Sequence, residues 1–217
     1  FNTAAVVCFF TGIKYTSITK ANMLNMTYPI FVFLLAPFFN KEKTSWNYYI
    51  YLLLTVTGIY LFVTPEKGFS FATINIGDVL ALSSGFFAGF AIISLRESRK
   101  FDDSYLILFY LMIFGAITNG IYLIPYFIVP KGMMLMWIIL TTITSVAGQF
   151  FLTIGYKYID ASPGSLVSSS RIIFAALMGI IVFSDIITEY MIIGAICIII
   201  SLIGLSGFFK LLLPMNK

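Results

Sequence analysis

The sequence predicts an all-α membrane protein with about eight transmembrane helices, and three observations lead there. The 217 residues are 60% hydrophobic and only 10% charged, with a mean hydropathy of +1.00. That is too little charge to coat a water-facing surface, whereas lipid asks for an apolar exterior and an internally satisfied backbone. No segment alternates polar and apolar residues with period two, which removes a β-barrel. The apolar stretches also come in runs near the roughly 20 residues that a helix needs to cross a bilayer core of about 30 Å.

Charged and Pro/Gly-containing joints divide the chain into spans near residues 1–13, 21–39, 47–63, 74–95, 104–129, 133–155, 163–183 and 190–213. The first run is too short to cross, and the chain opens with Phe. Ser45 and Thr188 stand where caps would open the third and eighth spans. Ser162 followed by Pro163 reads as an N-cap and a proline at the first helical position of the seventh.

Gly12-Ile13-Lys14-Tyr15 and Gly155-Tyr156-Lys157-Tyr158 mark an internal repeat with an offset of 143. Carried without gaps from 1–51 against 144–194, the same offset pairs Ala4 with Ala147, Ile30 with Ile173, Phe31 with Phe174, Leu34 with Leu177 and Ile50 with Ile193. It also sets Glu42 on Asp185 and Ser45 on Thr188, so the polar punctuation agrees. The second unit starts near Ile74, about 70 residues before the partner of Phe1, so a complete first unit would begin about 70 residues upstream. The expected parent is a ten-helix bundle of two five-helix units. An odd number of spans per unit makes the repeat inverted.

Basic residues set the orientation. Joints after the odd-numbered spans hold four: Lys14, Lys20, Lys67 and Lys131. Joints after the even-numbered spans hold eight: Lys41, Lys43, Arg96, Arg99, Lys100, Lys157, Lys210 and Lys217. By the positive-inside rule the second side, with the C-terminus, is cytoplasmic. The net charge of +4 is then a matter of topology, and no continuous basic patch supports nucleic-acid binding. Cys8 and Cys197 lie within apolar runs and read as packed or lipid-facing thiols. The chain has no histidine and no metal-ligand spacing, and nothing in it calls for a cofactor.

Polar residues inside the spans are the candidate site. Arg171 stands about nine residues past Ser162, roughly 12 Å into its helix, where a guanidinium is costly unless paired or hydrated. It either anchors a substrate carboxylate or phosphate, or it snorkels or pairs with an acid such as Asp78 or Asp160. Its repeat partner is Tyr28, and one turn earlier stand Ser168 and Asn25. The i, i+3 spacing puts each pair on one helix face, and inverted symmetry aims both pairs at a common central cavity. Asn22, Asn25 and Tyr28 form one polar edge, behind which Pro29 frees a carbonyl near Asn25. Thr141, Ser145, Gln149 and Thr153 recur every four residues, and Gln149 is the member that suits either substrate contact or packing. Asn119, beside Gly120 and above Pro125, either lines the cavity or satisfies a kink. The substrate-binding set is therefore Arg171, Tyr28, Asn25, Ser168, Gln149 and Asn119. Asp78, near the start of its span, reads as a helix-dipole partner. Ala81, Gly85 and Gly89 give a small-residue edge that serves close packing or, as the bolder alternative, a homodimer. Glu42, Asp185 and Glu189 read as solvated or capping groups at joints.

Tyr15-Thr16-Ser17-Ile18 through Ala21 to Pro29-Ile30-Phe31, followed by Asn40-Lys41-Glu42-Lys43, resembles the drug/metabolite transporter superfamily, EamA-type. Gly77-Asp78-Val79-Leu80-Ala81-Leu82 resembles the opening of that family's sixth helix. Ser170-Arg171-Ile172-Ile173-Phe174-Ala175-Ala176-Leu177, on to Phe183-Ser184-Asp185, resembles its ninth. Asp185 departs from the usual Glu, and Arg171 lacks the aromatic residue that often follows. The resemblance implies a ten-helix exporter or exchanger of small metabolites whose first two helices are missing here. Residues 1–68 then form the last part of the first EamA-like repeat, with its third to fifth helices, and 69–217 form the second repeat, with its sixth to tenth.

The function expected is secondary transport of a small organic metabolite, anionic or zwitterionic, by alternating access between inverted repeats. The plasma or inner membrane is expected rather than an organellar one. The alternative is a non-transporting, multi-span structural or assembly protein. An enzyme is not expected: there is no histidine, no acidic pair within a span and no cysteine near a charge. A channel lacks a ring of charge or a filter-like loop.

Overall fold

A computed structural model describes residues 1–43, 45–63, 75–124, 129–183 and 188–206. The loop 65–73, Pro125, Asp185 and the end of the eighth span lie outside them. The described residues form ten helices: α1 (Asn2–Ile13), α2 (Ile18–Asn25), α3 (Tyr28–Phe39), α4 (Trp46–Val63), α5 (Ile76–Ser98), α6 (Ser104–Leu123), α7 (Met133–Gly155), α8 (Ala161–Ser168), α9 (Arg171–Phe183) and α10 (Glu189–Leu205). Four stretches are long and apolar enough to cross a membrane, namely Lys20–Phe39, Ile76–Ser98, Ser104–Ile121 and Met133–Gly155. Asn2–Ile13 and Glu189–Leu205 are shorter apolar helices. The all-helical membrane fold is as the composition and run lengths require.

The second and seventh spans are each broken in the middle, which the apolar runs did not reveal. At the first break Pro29, in the opening turn of α3, has no N–H to return to the Asn25 carbonyl. Thr27 stitches the gap: its Oγ1 donates to the Leu24 carbonyl at 2.6 Å, and its own carbonyl accepts from Ile30 N at 2.9 Å. The second break has no proline. There Ser168 and Ser169 donate their hydroxyls back to the Gly164 and Ser165 carbonyls at 2.9 and 3.0 Å, a habit that bends helices. Shifted by 143 positions, α2 falls on α8 residue for residue, α3 begins where α9 begins, and α4 where α10 begins. Tyr28 and Arg171 are thus the first residues after equivalent breaks.

Close backbone contact holds α5 to its neighbours. A Cβ built on Gly77 would stand 2.8 Å from the Gly12 carbonyl oxygen, and one on Gly85 would stand 3.0 Å from the Leu24 and Asn25 carbonyl oxygens. The Ala81, Gly85, Gly89 edge is therefore taken up within the chain, Ala81 beside Gly12 of α1, Gly85 against the end of α2 and Gly89 against α3. Tyr28, Val32, Ala36, Ile93 and Ala161 pack into one core where α3, α5 and α8 meet. A second core of Ile59, Ile172 and Ile198 joins α4, α9 and α10. Between α4 and α10, Thr55 Oγ1 donates to Ser201 Oγ at 2.8 Å, and Ser201 Oγ donates to the Tyr51 carbonyl at 2.9 Å.

Polar contacts gather at the two ends. At one end Asp78 caps α5 with Asn75, accepts from Thr16 Oγ1 at 2.7 Å and pairs with Lys20 Nζ at 2.6 Å, as a carboxylate at a helix start should. At the other end Arg96 donates to the Tyr156 and Lys157 carbonyls, both at 3.0 Å, and pairs with Asp160 at 2.8 Å. Glu42 accepts there from the first amides of α8, Ala161 N at 2.6 Å and Ser162 N at 3.1 Å, and from Ser162 Oγ at 3.0 Å. The joints after the second, fourth and sixth spans thus meet at one end. One local expectation is corrected: the helix opens at Ala161 behind Asp160, not at Pro163 behind Ser162, because Glu42 supplies the cap from 119 residues away. Thr188 does cap α10, accepting from Met191 N at 3.3 Å.

Candidate functional site

The two helix breaks bring Tyr28 and Arg171 together. The Arg171 guanidinium lies over the Tyr28 ring, 5.3 Å from its centroid, a cation–π arrangement that steadies the charge while leaving the guanidinium edge free to donate. The Tyr28 hydroxyl donates to the Ser165 carbonyl at 3.1 Å, so the ring is pinned across from α3 to α8. Asp78 pairs with Lys20 and Asp160 with Arg96. Among the described residues Arg171 has no ion pair.

A cavity of about 440 Å³ opens onto this pair. Tyr28, Arg171, Ser168 and Gln149 all line it, four of the six candidate residues, drawn from α3, α9, α8 and α7. The lining is completed by Ala88, Ile92 and Leu95 of α5 and by Tyr110, Leu111 and Phe114 of α6. A neighbouring cavity of about 670 Å³ shares Asn2, Thr3, Leu111 and Gln149 with the first, and is lined further by Asn119, Thr141 and Ser145. Asn119 lines that second space while donating from Nδ2 to the Gly115 carbonyl at 2.8 Å within a continuous α6. Asn25 lines neither cavity. Its amide donates to Ser84 Oγ at 2.9 Å, binding α2 to α5.

Sequence reasoning did not single out Ser94 and Ser98, which add hydroxyls to the first cavity from α5, nor Tyr110 and Phe114. The i, i+4 spacing of the serines was the available signal. Glu42 is a capping group, one of its two expected roles, although the helix it caps lies 119 residues away; Arg96 was not singled out because its partners are distant in sequence. The arrangement can hold a small polar molecule by a charged group, an amide and hydroxyls in a mostly apolar chamber.

Comparison with known proteins follows the same line. A solved crystal structure of a protein superposes with a TM-score of 0.82, covering 94% of this chain and 74% of its own, at 14% identity. That match speaks for the fold alone. Solute carrier family 35 member G1 of Homo sapiens is 25% identical over 217 residues, covering 92% of this chain and 58% of the relative. The pseudopaline exporter CntI of Pseudomonas aeruginosa is 27% identical over 202 residues, covering 93% of this chain and 70% of the relative. An uncharacterized transporter of Helicobacter pylori is 28% identical over 190 residues, covering 81% and 60%. The chain thus spans between about three-fifths and seven-tenths of the length of these relatives. The EamA-like transporter family matches residues 1–64 and 75–207, and on that match, with a bundle whose broken helices meet at a cavity, the chain belongs to the EamA-like transporter family.

Proposed function

We propose that the protein is a secondary transporter that carries a small organic metabolite across the membrane by alternating access between two inverted repeats, residues 1–68 and 69–217. The observation that carries this reading is the convergence of the two helix breaks on one cavity, with Tyr28 and Arg171 in contact at its wall. Discontinuous helices that meet near the bilayer midplane are how many secondary transporters present a solute site. The equivalence of α2 with α8 and of the starts of α3 and α9 supports the repeat reading. The name of one relative, an exporter, supports outward movement of the solute.

In this reading Arg171 holds an anionic group, Tyr28 orients it, and Ser168 and Gln149 contribute hydrogen bonds. Asn119 extends the polar path into the second cavity, and Asn25 holds α2 in place beside it. The C-terminus and the joints carrying Arg96 and Lys157 face the cytoplasm. The purified protein is to be reconstituted in liposomes and screened with radiolabelled organic carboxylates, amino acids, nucleotides and cationic metabolites. Uptake or exchange of one class that Arg171→Ala abolishes, at unchanged incorporation, is the expected result. No flux of any class would move the reading to a structural role, whereas flux indifferent to Arg171 would keep transport and remove Arg171 from the site.

A further inference from the structure

We infer that the cavity selects organic monoanions, molecules with one carboxylate-type charge on an uncharged and largely apolar body, over zwitterions and cations. The inference rests on taking this cavity as the solute site and goes further by naming what it accepts. Among the described residues that line the two cavities, Arg171 is the charged side chain and none is Asp or Glu. Four acids of the neighbouring elements are engaged elsewhere: Asp78 with Lys20, Asp160 with Arg96, Glu97 with Lys100, and Glu42 with the first amides of α8; Asp102 and Asp103, in the joint between α5 and α6, are not among the lining residues. An ammonium group entering with the solute would therefore find no carboxylate. It would also meet the field of Arg171, which the low dielectric of a membrane interior strengthens.

One anion suits the site better than two, because among the described lining residues Arg171 is the single cationic side chain, and its guanidinium already rests on the Tyr28 ring. The body of the solute meets Ile107, Tyr110, Phe114 and Leu152, and the Tyr110 and Phe114 rings stand 6.5 Å apart at 27°. These side chains offer apolar area and hardly any hydrogen bonding. A volume of about 440 Å³ lies in the range of small-molecule sites and accommodates a single-ring metabolite.

Three compounds with one phenyl ring and similar chains separate the charge types: phenylpropionate (anion), phenylalanine (zwitterion) and phenethylamine (cation). Binding to the purified protein in nanodiscs, measured by calorimetry and by the shift in thermal unfolding, is expected to favour phenylpropionate over phenylalanine by about tenfold or more. Phenethylamine should not compete. Arg171→Gln should abolish the preference, while Arg171→Lys, which keeps the charge, should preserve the order at weaker affinity. Equal binding of phenylalanine, absence of phenylpropionate binding at millimolar concentration, or a preference that survives Arg171→Gln would each overturn the inference. Ordered binding through Arg171 without flux in liposomes would instead leave the selectivity standing and remove transport.

Discussion

Arg171 and Tyr28 can be separated by substitution because each makes a different contact. Removing the guanidinium in Arg171→Ala should weaken apparent substrate affinity by roughly ten- to 150-fold, the equivalent of a charge-assisted hydrogen bond of about 1.5 to 3 kcal/mol. Arg171→Lys should fall between, since an ammonium cannot reproduce the planar two-point contact. The measurement is the concentration dependence of flux at equal incorporation. Tyr28→Phe keeps the ring under Arg171 and removes only the hydroxyl. The Ser165 carbonyl keeps its other donors, the amide and hydroxyl of Ser169 at 3.2 and 3.0 Å, so the expected cost is about 1 kcal/mol of stability with affinity little changed. Tyr28→Leu removes the ring as well and should weaken apparent affinity further, by the roughly 0.5 to 2 kcal/mol of a cation–π contact. If Phe and Leu behave alike, the ring is not what positions the arginine.

At the scale of elements, α5 and α8 carry the two sharpest tests. A methyl group on Gly77 would meet the Gly12 carbonyl oxygen and the Thr16 amide nitrogen at 2.8 Å, all backbone with no rotamer to yield. Gly77→Ala should therefore push α1 from α5 and cost about 1 to 3 kcal/mol, read as a lower thermal unfolding temperature in detergent. Gly148→Ala, a helical position with nothing within 4 Å of the added carbon, is the control and should be neutral or slightly stabilising. Glu42→Gln leaves an oxygen for one α8 amide but removes the charge at the helix start, where a carboxylate is worth about 0.3 to 1 kcal/mol. Its stability loss should be small and should shrink in high salt.

How much of this was legible follows from the range of each signal. The matching G-x-K-Y turns gave the offset that α2 and α8 obey, because a repeat leaves its mark in local sequence. Pro29 announced one break. Its counterpart at Ser169 and Ser170 could not be announced, because serine back-bonding bends a helix only when the surroundings favour it. Arg171 was visible as an expensive charge, whereas its position over Tyr28 arises from packing between helices 143 residues apart. Asn25 shows the converse. Its polarity in an apolar run attracted a binding role, yet it sits against Ser84, 59 residues away.

For the whole molecule, the ends of the helices make topology testable. Arg96, Lys157 and Asp160 meet at one end with Glu42 and the start of α8, while Lys20 and Asp78 meet at the other. With Cys8 and Cys197 replaced, a cysteine at Lys100 should react with an impermeant maleimide only after the cells are opened. One at Lys131 should react from outside. The opposite pattern would invert the assignment made from the basic residues.

The bond between Glu42 and Ala161 spans 119 residues, and a ribosome adding about 5 to 20 residues per second needs roughly 6 to 24 seconds to make them. Throughout that interval the Glu42 carboxylate has no α8 amides to accept from. When α8 emerges, its first amides meet an acceptor already in place, so the break before Arg171 is held from its N-terminal side as soon as it is made. The later half of the chain is thus moulded on the earlier one, and a nascent chain halted before Ala161 should leave position 42 open to aqueous labelling that release of the finished protein suppresses.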